Sequence, residues 1–358
     1  MYLAIETSCD ETALALFHPG IGLVGEWVHS QIDLHSRYGG VVPDLASREH
    51  QRNLLPLLDE ALDTLQEQFP PGTESVREIL VTAGPGLAGC LALGLAAANS
   101  LGGAWQVPVR GVNHLDGHAW SPFIPVHQAA PEDFWRHLDG YLPHLGLLVS
   151  GGNTVLFRID TDRRLTLLGE TVDDAAGEAL DKGAKLLGLA YPGGPRLEQA
   201  ARTGDANAFS FPTGVKRRDD PRFSFAGLKT ALRYQLEKMK AEAVDQALPD
   251  LAASYQAAVL AQLIRKTRQA LKAPDAACRS LGLSGGVANN RRLRIDMNRL
   301  AGDFGLPLLA AEPRHSGDNA AMIAFAGWLH PEAAFPLDGG GPAWLRPAWR
   351  LAASTPLA

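Results

Sequence analysis

Cysteine is scarce in this chain. Of 358 residues only three are cysteines, Cys9, Cys90 and Cys278, and no two of them stand in a C-x-x-C spacing. An odd number of scattered thiols argues against a disulfide framework and against a structural zinc site built from cysteine. This usage fits a reducing compartment, so we expect a cytoplasmic protein.

Positive charge is also in short supply. The chain has 33 Lys and Arg residues against 39 Asp and Glu residues, a formal net charge of −6. Any contact with nucleic acid must therefore use a local basic patch rather than the overall charge. Basic residues near aromatic ones are the candidates for such a patch, and a solvated surface explains them equally well. They are Lys216, Arg217, Arg218, Arg222 and Lys229 near Phe223 and Phe225, and then Arg291, Arg292 and Arg294.

Long apolar runs are missing as well. Residues 1–6 carry no basic region and no apolar core, which argues against a secretory signal peptide. Residues 84–98 are nearly uncharged, but Asn99 and Ser100 end this stretch. It is then shorter than the roughly 20 residues that a membrane span needs. We therefore expect a buried helix here and no association with a membrane.

The chain does contain the tripeptide Ser-Gly-Gly twice, each time after a strand-like apolar run. Residues 145–149 lead into Ser150-Gly151-Gly152, and residues 281–283 lead into Ser284-Gly285-Gly286. Without a Cβ atom in the way, backbone N–H groups in such loops can turn toward an anion. Two loops of this kind suggest a nucleotide or phosphate bound from two sides.

The strand pattern also repeats. Each half of the chain opens with three strand-like segments and continues with helical ones; the strands are expected at residues 2–6, 12–17 and 23–30, and again at 145–150, 153–159 and 165–170. This echo predicts an α/β protein of two duplicated lobes with a ligand cleft between them. We assign residues 1–125 plus about 317–345 to the first lobe and 126–316 to the second, with residues 122–143 as a connection.

A histidine pair follows one of the predicted strands. If residues 114–118 are helical, His114 and His118 lie one turn apart on the same face, a spacing that suits two ligands of a metal ion. A pair of surface histidines is the alternative. Asp318, which opens a helix near the C-terminus, is the best candidate for a third ligand, and His315 is a weaker one. A zinc protease is not indicated, because its general base would stand where Leu115 is.

Three further segments could serve a site or could be structural. The acidic loop at residues 6–12 could bind a phosphate or orient a reacting group, or it could be an ordinary polar hairpin. The glycine-containing loop at residues 84–87 precedes a helix and could bind an anion or allow tight packing. On the helix that follows residue 173, Asp181 matters only if its face lines the cleft.

Nine ordered segments together resemble the TsaD family, also called YgjD or Gcp, of tRNA N6-adenosine threonylcarbamoyltransferases. They run from residue 3 to about residue 330 and comprise residues 5–12, 38–43 with 45–48, 82–87, 114–118, 148–154, 173–179, 191–195, 223–230 and 285–291. Two positions depart from the usual pattern. Asp116 stands where Glu is common, and Asn153 stands where bacterial members often have His. Neither change removes a proposed ligand.

The resemblance implies an actin-like (ASKHA, RNase H-like) fold and a transfer reaction. In that reaction N6 of adenosine 37, in tRNAs reading codons that begin with A, attacks the carbamoyl carbon of threonylcarbamoyl-AMP, and AMP leaves. The resemblance also implies one divalent metal ion, with Fe2+ favoured over Zn2+. The implied partners are a TsaB-like paralogue and a TsaE-like ATPase.

The resemblance also assigns roles to residues. It implies that His114, His118 and Asp318 bind the metal ion. The residues that would line the ligand site are Leu148, Val149, Ser150, Gly151, Gly152, Asp181, Gly194, Glu198 and Asn290. Since an adenine amine is a poor nucleophile and must lose a proton, we take Asp10 or Glu11 as the general base.

Other functions remain open at this point. A small-molecule kinase of the same fold is the main alternative, although its first loop would usually read Asp-x-Gly-x-Thr and here it reads Glu6-Thr7-Ser8. A metallopeptidase lacks its base, and an actin-like scaffold would not need the histidine pair.

Overall fold

The computed structural model describes residues 1–70, 72–215, 220–273, 277–331, 335–336 and 345–351. The chain forms two compact units. The first unit comprises Met1–Gly140, Asp162–Arg164 and Ala311–Ala358, and the second comprises Tyr141–Thr161 and Leu165–Ala310. Residues 126–140 and 311–316, which the sequence placed with the second lobe, therefore group with the first unit.

Strands and helices alternate along the described residues. The strands are β1 (Tyr2–Glu6), β2 (Glu11–His18), β3 (Gly22–Ser30), β4 (Glu78–Gly84), β5 (Val109–Asn113), β6 (His144–Val149), β7 (Thr154–Ile159), β8 (Leu165–Glu170), β9 (Ser280–Ser284), β10 (Leu308–Ala310) and β11 (Phe335–Pro336). The helices are α1 (Ile32–Ser36), α2 (Pro43–Gln68), α3 (Ala88–Trp105), α4 (His114–Trp120), α5 (Ile124–Ala129), α6 (Phe134–Tyr141), α7 (Ala176–Leu186), α8 (Gly193–Ala201), α9 (Ala226–Glu237), α10 (Ala241–Leu271), α11 (Arg291–Asp303), α12 (Pro313–Ser316) and α13 (Ala320–Leu329).

The two sheets share one topology. The first unit has the order β11-β5-β4-β1-β2-β3, and the second has β10-β9-β6-β7-β8. In each unit an antiparallel three-strand meander is followed by strands parallel to its first member: β1 pairs with β2 and β4, and β6 pairs with β7 and β9. This repeated order confirms the predicted actin-like duplication.

Apolar strands with both faces covered form the centre of the first unit. All five residues of β1 are buried, as expected for a central strand with both faces covered; its neighbours are the antiparallel β2 and the parallel β4. Helices α2 and α3 pack against β2 and β4, and α13 packs against β1 and β2. Helix α13 is apolar on all sides and almost wholly buried, as a helix inside a core must be.

The segment 122–143, which the sequence predicted as a connection, is mostly helical. It holds a 3-10 turn at Ser121–Phe123 and the helices α5 and α6. His127 and Phe134 pack with Phe17 and Phe325, whose ring centroids lie 5.1–6.1 Å from their neighbours in this cluster. This aromatic packing is the physical reason that the segment joins the first unit.

Two helices differ in detail from the sequence pattern. In α2, Leu54 and Leu58 are buried, but Leu55 is 66% exposed, because a residue next to a core position points about 100° away from it on a helix. Helix α3 continues through Asn99 and Ser100, whose side chains donate to the carbonyls of Leu95 and Ala96 at 2.8 and 2.9 Å.

One helix among the described residues, α3, is long and apolar enough to cross a membrane by length and composition alone. A single such helix is weak evidence, because the core helix of a soluble protein passes the same test. Its residues Cys90, Leu91, Leu95 and Ala98 are buried, and it packs against β4 and α2. That packing is the one expected of a core helix.

Candidate metal centre and ligand loops

In the first unit, the loops that follow three parallel strands meet at one edge of the sheet. These strands are β1, β4 and β5, and ligands of open α/β sheets bind at the carboxyl ends of the strands. The loop after β4 packs on the loop after β1: the Leu87 N–H donates to the Ser8 carbonyl at 2.8 Å, and a Cβ on Gly86 would lie 2.5 Å from that oxygen. Tight packing therefore accounts for the glycine at 86.

Helix α4 begins at the carboxyl end of β5 and carries both histidines. The Asn113 side chain caps it by accepting the Leu115 N–H at 2.8 Å, which satisfies an otherwise unpaired donor. The rings of His114 and His118 lie on one face, with centroids 4.7 Å apart and planes at 89°. Both residues are buried. The helical spacing that the sequence suggested is thus the spacing observed.

Asp318 completes this cluster, although it is 200 residues from His118 in sequence. Its Oδ1 lies 3.3 Å from His114 Nε2 and 3.1 Å from His118 Nε2. One potential ligand atom from each of the three residues lies within 4.8 Å of the others. The following residue, Asn319, fixes this position by capping α13 through the Met322 N–H at 2.9 Å.

His315 is not part of the cluster. Its Nε2 lies 2.7 Å from Glu26 Oε2 on β3, and its side chain is fully buried there. This pair ties α12, the helix just before Asp318, to the edge of the sheet. The weaker of the two proposed third ligands is therefore occupied elsewhere.

Glu6 belongs to the acidic loop that the sequence singled out, but sequence reasoning assigned it no role of its own. Its fully buried carboxylate accepts the Ser8 N–H and the Thr82 hydroxyl, each at 2.5 Å, and its Oε2 lies 3.0 Å from His114 Nδ1. A charged residue at the end of an apolar strand is the signal that could have revealed it, because a buried carboxylate requires partners.

The charges around the histidines favour a cation. Burial lowers the pKa of His114, but the charges of Asp318 and Glu6 outweigh this and raise it well above the usual value. Burial raises the pKa of Asp318, but His114 and His118 reverse this effect and hold it well below the usual range. Two carboxylates thus flank the His114 ring. Two imidazole nitrogens and one carboxylate oxygen are also a donor set that suits Fe2+ or Zn2+.

The acidic loop between β1 and β2 is held firmly in the same unit. His50 lies 3.0 Å from the Cys9 carbonyl through Nε2 and 2.8 Å from the Thr12 hydroxyl through Nδ1. Asp10 is buried, and Glu11 accepts a hydrogen bond from the Ser30 hydroxyl at 3.2 Å. Burial, and then the charges of Asp10 and Asp318, raise the pKa of Glu11 well above its usual value.

Cys9 in that loop is not an activated thiol. Burial raises its pKa, and the nearby carboxylates, Asp10 first, raise it further. Only the thiolate form of cysteine is a good nucleophile. The loop therefore supplies carboxylates, not a covalent nucleophile.

In the second unit, both Ser-Gly-Gly loops leave the same edge of the sheet. They follow β6 and β9, which are parallel neighbours with Leu148 opposite Ser284. Leu148 and Val149 are buried in the core. Ser150 closes its turn by donating its N–H to the Asn153 carbonyl at 2.8 Å and accepting the Asn153 N–H on Oγ at 3.1 Å.

The glycines of these loops fall into two kinds. A Cβ added to Gly151, Gly152 or Gly286 would meet no atom within 4 Å. Gly285 has φ +86, and its Cβ would lie 2.4 Å from the Val149 carbonyl oxygen. Gly285 therefore lets the two loops approach each other, whereas the other three present open backbone.

The remaining predicted ligand residues also lie in the second unit, as two pairs. Asp181 Oδ1 accepts the Gly194 N–H at 2.8 Å, and burial raises the Asp181 pKa despite such bonds. Glu198 Oε1 accepts the Arg291 N–H at 2.8 Å at the start of α11. Asn290 caps the same helix by accepting the Leu293 N–H at 3.0 Å, and it donates to Gln256 at 2.9 Å. In this conformation the side chains of Glu198 and Asn290 thus stabilise the start of α11.

Within the part of the chain that the structure describes, the candidate basic residues have no exposed Phe223 or Phe225 ring beside them. Lys216, Arg217 and Arg218 lie outside the described residues. Phe223 and Phe225 are fully buried and stack on each other, with centroids 6.2 Å apart, so they cannot stack on a base. Arg222 pairs with Asp220 at 2.8 Å, and Arg292 pairs with Asp296 at 2.9 Å.

Comparison with known proteins identifies close relatives. The family model for tRNA N6-adenosine threonylcarbamoyltransferase (TsaD) matches residues 22–325. A protein of that name from Anaeromyxobacter sp. (strain Fw109-5) is 44% identical over 98% of this chain and 99% of its own length. Another, from Verminephrobacter eiseniae, is 43% identical over 99% of each chain.

Solved structures support the fold independently. HypF from T. kodakarensis superposes with a TM-score of 0.57 at 16% identity, covering 92% of this chain and 48% of HypF. A full-length HypF in a phosphate- and nucleotide-bound form gives a TM-score of 0.58 at 11% identity, covering 93% of this chain and 47% of that one. At such low identity these similarities concern the fold alone.

Proposed function

The chain belongs to the TsaD family of tRNA N6-adenosine threonylcarbamoyltransferases and is a transferase, and on that premise we propose that it transfers a threonylcarbamoyl group from threonylcarbamoyl-AMP to N6 of adenosine 37. The acceptors are tRNAs that read codons beginning with A, and the product is t6A. The observation that carries this proposal is the His114–His118–Asp318 cluster, a donor set for which a small-molecule kinase has no need.

We assign His114 Nε2, His118 Nε2 and an Asp318 oxygen as ligands of one divalent ion, Fe2+ in preference to Zn2+. Two histidines with one carboxylate form the donor set typical of non-haem Fe(II) sites. When bound, the ion would act as a Lewis acid that stabilises charge developing on the donor. Two helix caps fix the positions of these ligands. Asn113 caps α4, which carries both histidines, and Asn319 caps α13, which begins just after Asp318.

The acidic loop supplies the base. Because the donor is an activated mixed anhydride, the reaction needs positioning and proton removal rather than a covalent intermediate. Glu11 is the better of the two candidates, since its raised pKa makes it a stronger base than an ordinary carboxylate. The protonated Cys9 thiol is unsuited to nucleophilic attack.

A serine nucleophile is also disfavoured. Ser8 Oγ lies 3.3 Å from His114 Nδ1, but Glu6 Oε2 approaches the same nitrogen at 3.0 Å. A carboxylate only accepts hydrogen bonds, so the Glu6 contact requires a proton on Nδ1, and this nitrogen cannot then remove a proton from the Ser8 hydroxyl.

In the second unit, the open glycines of the Ser-Gly-Gly loops would bind the anionic part of the donor through backbone N–H groups. We assign the nucleoside end to Asp181 and Gly194, with Glu198 on the ribose and Asn290 at the adenine. Because Glu198 and Asn290 are engaged at the start of α11, a ligand would use the remaining atoms of these side chains or shift α11.

The kinase alternative is not favoured, since the full-length relatives are named as threonylcarbamoyltransferases. As partners we propose tRNA, a TsaB-like paralogue and a TsaE-like ATPase, and we place the protein in the cytoplasm, where its tRNA substrate is found.

The test is the transfer of radiolabelled threonine to unmodified tRNA. The reaction contains ATP, bicarbonate, a TsaC-type enzyme that makes the donor, and the two partners, with this chain, without it, or with the variant His114→Ala. We expect label only with the native chain, and at most a small fraction with His114→Ala. The matched control is His18→Ala, which removes a histidine of the same unit that pairs with Glu74 instead.

Absence of label would contradict the proposal, provided that the donor is shown to form and the partners work with another TsaD. Retention of full activity and of bound metal by His114→Ala would contradict the ligand assignment alone.

A further inference from the structure

Glu6 links the first loop to the candidate metal centre. It ends β1, and the partners of its two oxygens come from three segments: Ser8 from the first loop, Thr82 from β4 and His114 from α4. The side chain is fully buried, so water cannot take the place of these partners. We propose that Glu6 is a positioning residue that holds His114 with its proton on Nδ1 and its Nε2 lone pair directed at the metal ion.

The hydrogen-bond chemistry supports this assignment. A carboxylate only accepts hydrogen bonds, so a bond between Glu6 Oε2 and His114 Nδ1 requires the proton to be on that nitrogen. A histidine that binds a metal ion is neutral, and with the proton on Nδ1 its lone pair would be on Nε2, the atom that lies 3.3 Å from Asp318 Oδ1. Metal-binding histidines generally donate their second N–H to such a partner, which fixes the tautomer and the ring orientation.

The second histidine shows that this support is specific. His118 Nδ1 is buried, and within the part of the chain that the structure describes it has no hydrogen-bond partner. Among these residues the ring is held only through Nε2, which lies 3.1 Å from Asp318 Oδ1, so His118 has no counterpart to Glu6 on its Nδ1 side. His114, in contrast, is fixed by Glu6, which Ser8 and Thr82 hold in place from the other side.

This inference rests on the proposed metal site, and metal binding tests it without any activity assay. Glu6→Gln keeps the size of the side chain but replaces one accepting oxygen with an NH2 group. This group donates hydrogen bonds, so it would face a second donor from Ser8, Thr82 or His114. Co2+ and Zn2+ affinities are measured by competition with a chelating dye, and the visible spectrum of bound Co2+ reports its ligands. Loss of an outer-shell partner typically weakens metal binding about 10- to 100-fold.

We expect a loss of that size and an altered Co2+ spectrum for Glu6→Gln. The matched control is Glu74→Gln, which alters a carboxylate–histidine pair of the same unit away from the cluster: Glu74 and His18 lie 3.4 Å apart. The control should bind both metals as the native chain does. Thr82→Val, which removes one donor to Glu6, should weaken binding less and serves if Glu6→Gln fails to fold.

A double-variant comparison separates positioning from general stability. If Glu6 acts through His114, Glu6→Gln should cause no further loss of metal affinity in a His114→Ala background. A further loss, or a Glu6→Gln affinity within about twofold of the native value, would overturn the inference while leaving the metal site intact. If the native chain itself binds neither ion, the metal site and this inference both fail.

Discussion

At the scale of single residues, the acidic loop contains two candidates for the general base that removes the proton from the adenine amine, Asp10 and Glu11. Glu11 has a pKa raised well above its usual value, first by burial and then by the charges of Asp10 and Asp318. If it is the general base, Glu11→Gln should lower the single-turnover transfer rate by a factor of about 10² to 10⁴. Rapid quench with preformed threonylcarbamoyl-AMP measures this rate, with the exposed Glu60→Gln on α2 as control.

The companion variant Asp10→Asn distinguishes the two acids. A large loss in Asp10→Asn and a near-native rate in Glu11→Gln would reverse the assignment. Near-native rates in both would show that neither residue removes the proton.

A buried histidine in the second unit gives stability a pH dependence. Burial lowers the pKa of His144 to about 3, and its Nδ1 lies 2.7 Å from the Ser280 hydroxyl. In the unfolded chain a histidine has a pKa of about 6.5, so below that pH the unfolded state binds a proton that the folded state does not. Stability is therefore complete above about pH 6.5 and falls as the pH drops toward 3.

From pH 7 to pH 5 this one group should cost the second unit roughly 2 kcal/mol of unfolding free energy. Hydrogen exchange of peptides that cover β6 and β9, followed at both pH values, measures the change. In His144→Asn the decrease should be smaller by that amount, whereas the exposed His137→Asn should behave as the native chain does. An equal pH dependence in native chain and His144→Asn would refute the linkage.

At this scale the sequence singled out His114, His118 and Asp318, which the structure brings together, because a helical spacing of four and a helix-opening Asp carry a local signal. It assigned Glu6, within the acidic loop, no individual role, because that role depends on Thr82 and His114, which are 76 and 108 positions away. It also placed Phe223 and Phe225 beside the arginines as possible base-stacking groups. Both rings are in the core, and local sequence alone does not reveal burial of this kind.

At the scale of elements, the Ser-Gly-Gly loops contain two kinds of glycine: one that the fold requires, and three that a bound ligand would require. Gly285→Ala puts a methyl group 2.4 Å from the Val149 carbonyl at a positive φ, so it should destabilise the second unit by more than about 1 kcal/mol. Gly286→Ala, Gly151→Ala and Gly152→Ala meet no atom within 4 Å and should leave its stability nearly unchanged.

The same three substitutions should still weaken donor binding, because the added methyl group enters the space from which an anion would approach the backbone. Denaturant unfolding gives the stability of each variant, and calorimetry with a non-reactive analogue of the donor gives its affinity. A stable Gly285→Ala variant would contradict the steric argument. Unchanged affinity in all three other variants would remove these loops from the ligand site.

Element boundaries were predicted less well than element types, for identifiable reasons. Helix α7 was expected from Asp173 but begins at Ala176. Asp173 is instead held by α9, accepting the Phe225 and Ala226 N–H groups at 2.7 and 3.2 Å. Proline is favoured at helix starts, so the sequence around Pro249 predicts a helix over residues 249–272, but α10 begins at Ala241 and contains this proline. In the first case a contact with a distant helix, and in the second a proline tolerated inside a helix, moves the helix boundary away from the position that the local sequence predicts.

At the scale of the whole molecule, repetition was the most predictable feature. Three strand-like segments followed by helices occur twice in the sequence, and the two sheets have the same order over five strands, to which the first unit adds β11 at its edge. The pairing of β1 with β4 and of β6 with β9 joins residues far apart in sequence, so the family resemblance was needed to predict it. The grouping of residues 126–140 with the first unit depends on aromatic packing between distant segments, for which the sequence has no local pattern.

Net charge places a further demand on the whole molecule. With a net charge of −6, the proposed binding of tRNA requires a few cationic side chains that no internal acid neutralises. Within the described residues, Arg291 at the start of α11 and Lys229 on α9 are exposed and lack an ion pair, whereas Arg222 and Arg292 have acidic partners. We therefore expect Arg291 and Lys229 to contact phosphates.

Removing one phosphate contact should weaken tRNA binding without selecting among sequences. For Arg291→Gln, the slope of log K against log salt should become shallower by about 0.7 to 0.9, and Lys229→Gln should act alike and additively. Filter binding of unmodified tRNA between low and moderate salt measures these slopes. Arg52→Gln, which removes an exposed arginine paired with Glu49 in the first unit, is the control. Should both variants keep the native slope while Arg52→Gln changes it, the tRNA would bind a different surface, and the charge argument would have to be rebuilt around the first unit.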